Sequence, residues 1–508
     1  MEIARGPNAK IIDLIPIEIF SHIISYFCSH CSGDIGDDNN AADVKVLVAL
    51  TQTNRHFRSI AMPILFHSIG PRISSTYFFR VLDSQPDLAR TVKHLSLPLS
   101  APKCSSIMSD SALFTRFTDR LSLNPEWAET MQSSAVDGEM CLAMALCSDI
   151  ERLKIQIAYH QVNEHTRHLE LLDSLLENRQ DEEIFPKLRY LDIDKSQYYK
   201  FSLCDPEPIL LLRGAPHLQT LILRGPGDLA AQQSNDSTIQ EFCAGLANIK
   251  ELQILNVGPF ITGDGQTRAL EQILGAAQNL ETFKFVGVGY DGMNDSVSLV
   301  PATQLLEFLH PQTKKTLQHL SLNFDRVRDG RSSQLQPITP QQIKQFTSLH
   351  TLELDPSCYC TSRLRDGVEI QQFMSSNLTS QLQGSAPDIA SIYEQETYLV
   401  DFLPPTVETL TIFLDLMALY GLAYDTTLLA QQVVSGKYPN LKRVQVDAPI
   451  RRVMPAGNSW DYDFEEMEQV NLSEMEARGE AFREAFVGSG VETRFETWFV
   501  EEGWGSYI

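Results

Sequence analysis

Residues 188–193 read LRYLDI, a core with apolar residues at its first, fourth and sixth positions. The same apolar pattern recurs nine more times along the chain. The last two apolar positions, Leu191 and Ile193 around Asp192, predict a short strand, because successive side chains of a strand point to opposite faces. The other nine cores are VKHLSL (92–97), IERLKI (150–155), LQTLIL (218–223), IKELQI (249–254), LETFKF (280–285), LQHLSL (317–322), LHTLEL (349–354), VETLTI (407–412) and LKRVQV (441–446).

The spacing of the cores predicts a repeated unit. Seven of the nine intervals between their middle apolar residues are 30 to 38 residues long, and the other two are 58. Segments before the cores, such as 267–282, have a helical pattern. Pro186, Pro216 and Pro439 stand two residues before a core, where proline ends a helix and starts the turn into a strand. The predicted unit is therefore helix, turn, strand.

The two long intervals leave one question open. Residues 98–149 and 355–406 each have room for either a degenerate repeat or an insertion. The sequence does not distinguish these alternatives.

The ten cores resemble the strand motif of leucine-rich repeats, Leu-x-x-Leu-x-Leu, although the Asn or Cys that usually follows the strand is mostly missing. The resemblance implies an α/β fold in which residues 70–450 form a curved solenoid. Its parallel sheet would line the concave side and its helices the convex side. Stacking is physically required, because a single unit of this kind cannot bury its apolar face alone.

Residues that alternate with the buried strand positions are expected to face outward on the sheet and to contact a target protein. Their chemistry is mixed, with no single charge and no aromatic ladder, so it indicates no ligand class. Most such positions are expected to be solvated without contributing to binding, because few interface residues carry the energy. The candidates for target binding are Tyr190, Asp192, Arg224, Lys284, His319, Asn323, Glu353, Phe413 and Arg443.

A small helical unit is predicted at the N-terminus, over 12–69. In 13–27, DLIPIEIFSHIISYF, apolar residues recur on one face of a helix, and Pro16 suits the first helical position. The polar stretch 28–43 predicts a surface loop. A second helical stripe runs through 44–61, with a break expected at TQTN (51–54).

An ordered set of residues in this unit resembles the F-box. The family pattern has a Leu-Pro-x-Glu-Ile opening, a Leu-rich second helix, and an Arg-x-Phe-Arg block before Ala-x-Pro-x-Leu-Phe. Ile15 replaces the usual Leu, and Asn54 stands where Cys is common. The matching residues are Pro16, Glu18, Ile19, Ile23, Leu47, Leu50, Arg55, Phe57, Arg58, Ala61, Pro63, Leu65 and Phe66.

The F-box resemblance implies docking on the Skp-family adaptor of a cullin-RING (SCF) ubiquitin ligase. Pro16, Ile19, Ile23, Leu47 and Leu50 are the residues expected to contact the adaptor. A partner groove is physically reasonable, since so small a unit cannot bury its apolar stripe alone. The alternative from periodicity alone is a helical cap that packs on the following domain.

Composition favours protein partners in an intracellular compartment. The 508 residues carry 65 acidic and 41 basic side chains, a net charge of −24, which disfavours nucleic acid and anionic lipid surfaces. Nine scattered cysteines indicate a reducing compartment, cytoplasmic or nuclear. The N-terminus predicts neither a signal peptide nor a membrane span.

The last segment, 451–508, holds 13 acidic and 5 basic residues, a net charge of −8. It is interpreted as an acidic end cap or tail, with a helical pattern over 459–486 and an aromatic cluster near its end. Solenoid ends need covering, which favours the cap.

Two motifs resemble chemical sites but are interpreted as structural. Cys28 and Cys31, with His22 and His30 nearby, supply half of a zinc site, and no second pair follows at the spacing of a zinc finger. Residues 287–292 match G-x-G-x-x-G after a strand, but loop sequence follows instead of a helix. No metal, cofactor or catalytic residue is therefore predicted.

The sequence predicts a non-enzymatic protein, the substrate-recognition subunit of an SCF-type ubiquitin ligase. Its partners would be the Skp-family adaptor, the cullin and an unidentified target protein. The alternative is a leucine-rich-repeat scaffold that binds proteins without a role in ubiquitin transfer.

Overall fold

The computed structural model describes fourteen stretches of the chain: 16–32, 41–70, 75–98, 110–123, 135–157, 185–195, 206–224, 236–257, 264–288, 300–326, 337–359, 399–413, 419–451 and 476–500. The chain divides into two compact units. One comprises residues 1–198 and 205–221, and the other comprises residues 199–204 and 222–508.

The protein is an α/β protein built on one twelve-stranded sheet, whose strands follow one another in chain order. Every strand pairing with a described register is parallel. The strands are β1 (Ser68–Ile69), β2 (His94–Pro98), β3 (Arg152–Ile157), β4 (Tyr190–Lys195), β5 (Thr220–Arg224), β6 (Glu251–Val257), β7 (Thr282–Val288), β8 (His319–Arg326), β9 (Thr351–Leu354), β10 (Thr409–Phe413), β11 (Arg443–Arg451) and β12 (Glu492–Val500).

Helices alternate with the strands, as the repeat predicts. Parallel neighbours need a crossover between them, and a helix supplies it in each connection described from β4 onward. The described helices are α1 (Ile17–Ser25), α2 (Ser29–Ser32), α3 (Ala41–Thr53), α4 (Arg55–Leu65), α5 (Ser75–Ser84), α6 (Ser111–Arg120), α7 (Ala135–Leu146), α8 (Pro206–Gly214), α9 (Asp236–Gly245), α10 (Asp264–Ala276), α11 (Ala302–Phe308), α12 (Thr313–Thr316), α13 (Pro340–Ile343), α14 (Leu399–Phe402), α15 (Leu419–Val434) and α16 (476–485).

All ten predicted cores form strands, β2 to β11. Their middle apolar residues are completely buried, and those with a described register stand opposite one another. Each unit of the chain therefore has a continuous column of buried side chains. The column is Leu95, Leu153 and Leu191 in the first unit, and Leu252, Phe283, Leu320, Leu352, Leu410 and Val444 in the second.

The two long intervals between cores are insertions. β2 pairs directly with β3, with His94 opposite Arg152. β9 pairs directly with β10, with Thr351 opposite Thr409. Because these strands are hydrogen-bonded neighbours, no further strand of the sheet lies between β2 and β3 or between β9 and β10.

The turns before the strands also stack in the second unit. Pro439 lies in such a turn, as do Pro186 and Pro216 in the first unit, which confirms the predicted turns; the segment before Pro186 lies outside the described residues. Polar side chains in these turns donate hydrogen bonds to carbonyl oxygens of the preceding repeat, at 2.6–2.9 Å. The pairs are Asn279 to Ala247, Thr313 to Ala277, Thr316 to Leu280, Ser348 to Lys315 and Asn440 to Pro405.

The N-terminal helices form a module with its own core. Apolar residues of α1, α3 and α4 pack together, with Ile24, Leu47 and Ile64 among its buried members. The predicted break at 51–54 is confirmed, because Asn54 ends the stripe and caps α4 by accepting a hydrogen bond from the Phe57 N–H at 2.9 Å. Pro16 precedes the first helical residue instead of occupying it.

The prediction of a surface loop is wrong at both ends of 28–43, because α3 already begins at Ala41. Residues Ser29–Ser32 form α2, and Cys28 is only 3% exposed because it packs into the core of the helical module. Residues 33–40 lie outside the described part of the chain. The cause is a tertiary contact. Cys28 anchors this polar segment in the core of the helical module.

Two strands were not predicted, one at each end of the sheet. β1 pairs with β2, so the helical module continues directly into the sheet. β12 lies within 451–508 and pairs with β11 over nine residues. Helix α16 precedes β12, and Gly479 in α16 approaches the ring of Phe495 so closely that an added Cβ would stand 3.0 Å from it. Of the predicted acidic helix, 459–475 lies outside the described residues.

Replacing Leu320 with alanine tests the buried column. Leu320 is fully buried between Phe283 and Leu352, and a buried Leu→Ala change costs about 2–5 kcal/mol of unfolding free energy. Urea unfolding of the purified chain measures the loss. Val487→Ala is the control, because Val487 is 77% exposed and its truncation should cost less than about 0.5 kcal/mol. Equal losses in both variants would contradict the packing.

Candidate functional site

The first candidate site is the apolar surface of the helical module. Pro16 is exposed, and Ile19 and Ile23 are 50% and 46% exposed. The two isoleucines are four residues apart, so they share one face of α1. Ile17, not predicted as a contact, is also 50% exposed. Three of the five residues predicted to contact an adaptor are therefore available to a partner.

The other two predicted contacts lie in the core of the module. Leu47 is only 2% exposed, and Leu50 is partly buried against the same core. In α3 the outward apolar residues are instead Val44 and Val48, at 51% and 38% exposed. Periodicity identifies a stripe, but it does not say whether the stripe faces its own module or a partner. Leu47 therefore supports the module from inside.

An open groove of about 460 Å³ lies beside this surface, between α1 and α4. Ile17 lines one side, and Ile60, Pro63 and Ile64 line the other. His67 lies at its edge. The groove is shallow and partly apolar, which suits a protein side chain better than an enclosed small molecule.

The second candidate site is a group of charged residues on the sheet of the second unit. Lys284, Ser321 and Glu353 stand opposite one another on β7, β8 and β9. His319 Nε2 lies 3.1 Å from Glu353 Oε1. Three predicted target contacts, Lys284, His319 and Glu353, thus come together on neighbouring strands.

The electrostatics of this group favour an ionised Glu353. Burial alone would raise the pKa of Glu353, but His319, Ser321 and Lys284 act in the opposite direction and lower it below its ordinary value. Nearby Asp447 behaves differently. Its burial, together with Glu496 and Glu353, raises its pKa, against a smaller opposing effect of Gln445. The group therefore combines a basic residue, Lys284, with the acidic residues Glu353 and Asp447.

The remaining candidates are dispersed over both units. Tyr190 is partly exposed and lies under the guanidinium of Arg152, whose Cζ is 5.9 Å from the ring centre. Arg443 forms an ion pair with Glu492 at 2.9 Å. Arg224, Asn323 and Phe413 are each partly exposed at the later positions of their strands.

Several strand positions that were predicted to face outward on the sheet are buried. Asp192, a predicted target contact, is only 2% exposed. Ser96, Ser321 and Thr411, which occupy the same middle position of their strands, are buried as well. Neighbouring parallel strands are about 4.8 Å apart, so long side chains on one strand cover short side chains on the next. The part of this sheet face that a partner can reach is therefore formed mainly by the longer side chains.

A third group combines sulfur and imidazole ligands in the first unit. Cys28, His30, Cys31 and His67 each place one ligand atom within 4.8 Å of the others. Cys31 Sγ is 3.2 Å from His67 Nδ1 and 3.8 Å from His30 Nδ1. His22, which the sequence placed beside the cysteines, is not part of this group.

Burial favours the neutral forms of three members of this group, Cys31, His67 and His30. Burial, with Cys28 alongside, raises the pKa of the Cys31 thiol to about 12. Burial, followed by the effects of His30 and Lys93, lowers the pKa of His67 to about 4. Burial is also the main reason why the pKa of His30 is lowered.

Sequence reasoning missed His67 because it lies 36 residues after Cys31. Zinc-finger spacing places the second pair of ligands nearer. His67 carried no local signal either, because β1, the strand that follows it, was not itself predicted.

Two weaker motifs fall partly on described residues. Gly287 lies inside β7, opposite Val257, so it belongs to the sheet. Residues 289–299, which include the other two glycines of the G-x-G-x-x-G match, lie outside the described part of the chain. The other is a second pair of nearby cysteines, Cys358 and Cys360; Cys358 is fully buried, and Cys360 lies outside the described residues.

The chain matches none of the protein-family models and none of the curated proteins with which it was compared. Among the described helices, none has the length and apolar character needed to cross a membrane.

The pH dependence of stability tests the Glu353 site. A carboxylate whose folded pKa is lowered stabilises the fold above its unfolded pKa, and this contribution disappears as the pH falls through the folded value. We expect the difference in unfolding free energy between wild type and Glu353→Gln to be largest above the ordinary pKa of 4.5 and to shrink below it. Urea unfolding at a series of pH values measures the difference.

A His319→Gln background serves as the control for this prediction. The decrease should be smaller there, because contact with His319 is the largest effect that lowers the pKa of Glu353. A stability difference that does not change with pH would contradict the assignment.

Proposed function

We propose that this protein is the substrate-recognition subunit of an SCF-type ubiquitin ligase. Residues 12–69 act as an F-box that docks on the Skp-family adaptor, and the repeats bind a target protein. The protein itself performs no bond chemistry in this proposal. It raises the effective concentration of the target's lysines near the ubiquitin-loaded enzyme.

The observation that carries the proposal is the apolar surface of the helical module. Ile19 and Ile23 on α1, and Val44 and Val48 on α3, remain exposed although the module has already buried a core of its own. A cap would be expected to turn such residues toward the structure it covers. Single exposed apolar residues are ordinary, but paired stripes on two helices of one module suit a protein interface.

The F-box motif residues support the same proposal through their structural roles. Arg55 begins α4, and Pro63 lies within its last two turns. Ala61 is completely buried in the core that the helices of the module share. Motif residues of this kind maintain the packing that holds the outward isoleucines in position.

We propose that the twelve-stranded sheet forms the concave face of a curved leucine-rich-repeat solenoid. Its buried column and stacked turns are typical of repeat proteins, in which each unit is stabilised by its neighbours. The patch of Lys284, His319 and Glu353 is the preferred position for target contact, because its charged residues occupy adjacent strands. Its mixed charge suits a polar protein surface.

Binding to purified Skp-family adaptor tests the function directly. The double variant Pro16→Ala with Ile19→Asp should weaken binding at least ten-fold, since burying an unpaired carboxylate in an apolar interface is costly. Val44→Asp should have a similar effect, because Val44 is outward on α3. Calorimetry or a surface-binding assay with the full chain measures the affinity.

Val487→Asp is the matched control, because it places the same charge on an exposed valine of the other compact unit. It should bind the adaptor like wild type. Equal binding by wild type and the Pro16/Ile19 double variant would show that the docking surface is wrong. If neither the adaptor nor a cullin is present in native complexes of the wild-type chain, the scaffold without ubiquitin-ligase function is the correct description.

A further inference from the structure

We propose that Cys28, His30, Cys31 and His67 bind one structural Zn²⁺ ion at the junction between the helical module and the sheet. Two thiols and two imidazoles are a complete ligand set for tetrahedral zinc. The four come from two parts of the chain, the turn 28–31 and the residue before β1. This site goes beyond the proposed function, and it does not depend on it.

The distances agree with a tetrahedral centre. Zn–S bonds of about 2.3 Å and Zn–N bonds of about 2.0 Å place sulfur and nitrogen ligands about 3.5 Å apart at the tetrahedral angle. The distances from Cys31 Sγ to the Nδ1 atoms of His67 and His30 are 3.2 and 3.8 Å, on either side of this value. All four ligand atoms lie within 4.8 Å of one another. Small side-chain movements would therefore complete the coordination.

Residues next to the four ligands supply the hydrogen-bond partners that orient ligands in zinc sites. His30 turns Nδ1 toward Cys31, and its other nitrogen, Nε2, lies 3.5 Å from Glu151 Oε2. Glu151 is itself held by Lys93 at 3.2 Å. In metal sites such a carboxylate orients the imidazole and selects the tautomer that leaves the coordinating nitrogen free. Glu151 is the positioning residue of this site.

The donor set selects zinc. Thiolate and imidazole ligands suit Zn²⁺, whereas Mg²⁺ and Ca²⁺ require oxygen ligands. Four protein ligands also leave no open position for water or substrate, so the ion would be structural and not catalytic.

The position of the site gives the ion a mechanical role. Cys28 is anchored in the core of the helical module, and the His67 carbonyl accepts hydrogen bonds from the N–H groups of Lys93 and His94 at the start of β2. Glu151 immediately precedes β3. One ion would therefore connect the turn after α1 to the first strands of the sheet and fix the orientation of the module.

The experiment measures metal in the full-length chain, purified under reducing conditions from zinc-supplemented medium. We expect about one zinc per chain by elemental analysis. Replacement by Co²⁺ should give the thiolate charge-transfer and d–d absorption bands of a tetrahedral site. Cys31→Ser and His67→Gln should lose the metal. Cys243→Ser and His22→Gln are matched controls and should retain it, because neither residue belongs to the group.

Glu151→Ala separates positioning from ligation. This variant should keep the tetrahedral Co²⁺ spectrum and bind zinc about 10- to 100-fold more weakly in a chelator competition. In addition, zinc should raise the melting temperature of the chelator-treated wild-type chain, since a ligand that binds only the folded state stabilises it.

Several outcomes would overturn the proposal. The proposal is wrong if the fully reduced wild-type chain gives no tetrahedral Co²⁺ bands. This measurement does not depend on the folding of any variant. Zinc retained equally by Cys31→Ser and wild type would also exclude the site. The test is independent of ubiquitin ligation, because Pro16→Ala with Ile19→Asp should leave the zinc content unchanged even where it abolishes adaptor binding.

Discussion

The structure depends on the lateral stacking of one buried residue from each strand. Leu252, Phe283, Leu320 and Leu352 stand opposite one another in the second unit, and each is completely buried. A single helix and strand would leave most of this apolar surface in water, so each repeat is stable only beside its neighbours. The requirement fixes the parallel register, because a shift by one residue would turn every buried side chain to the other face of the sheet. It also explains why equivalent strand residues can be separated by 30 to 58 residues along the chain.

The same constraint shapes the opposite face of the sheet. Once the register is fixed, residues at equivalent positions become direct neighbours, so Lys284, Ser321 and Glu353 meet although they lie more than thirty residues apart. Short side chains at these positions become covered, as Ser321 shows, while longer ones remain accessible. Substitution of a few long residues can therefore change what this face binds without disturbing the buried column beneath it. The ionised Glu353 beside His319 is an example, because burial opposes its charge and its neighbours overcome this effect.

The helical module shows how one amphipathic pattern serves two purposes. Leu47 and Val44 are both aliphatic residues of α3, but Leu47 is 2% exposed and Val44 is 51% exposed. They are three positions apart, and the difference arises because Leu47 packs against core residues of α1 and α4, whereas Val44 is not part of that core. The exposed side is the basis of the proposed docking surface. The proposed zinc site would then hold this surface in a defined orientation relative to the first strands, through His67 and the turn at Cys28.

The sequence by itself determined the repeat, because apolar residues at fixed separations report directly on which side of a strand is buried. All ten cores form strands, and the helices between them follow from the need for crossovers. It did not determine β1 and β12, whose short or polar sequences form strands only because a neighbouring edge offers hydrogen bonds. It also did not determine which apolar residues of the module face outward, or that His67 joins Cys28, His30 and Cys31. Those facts depend on contacts between distant segments, and local periodicity carries no information about such contacts until the chain has folded.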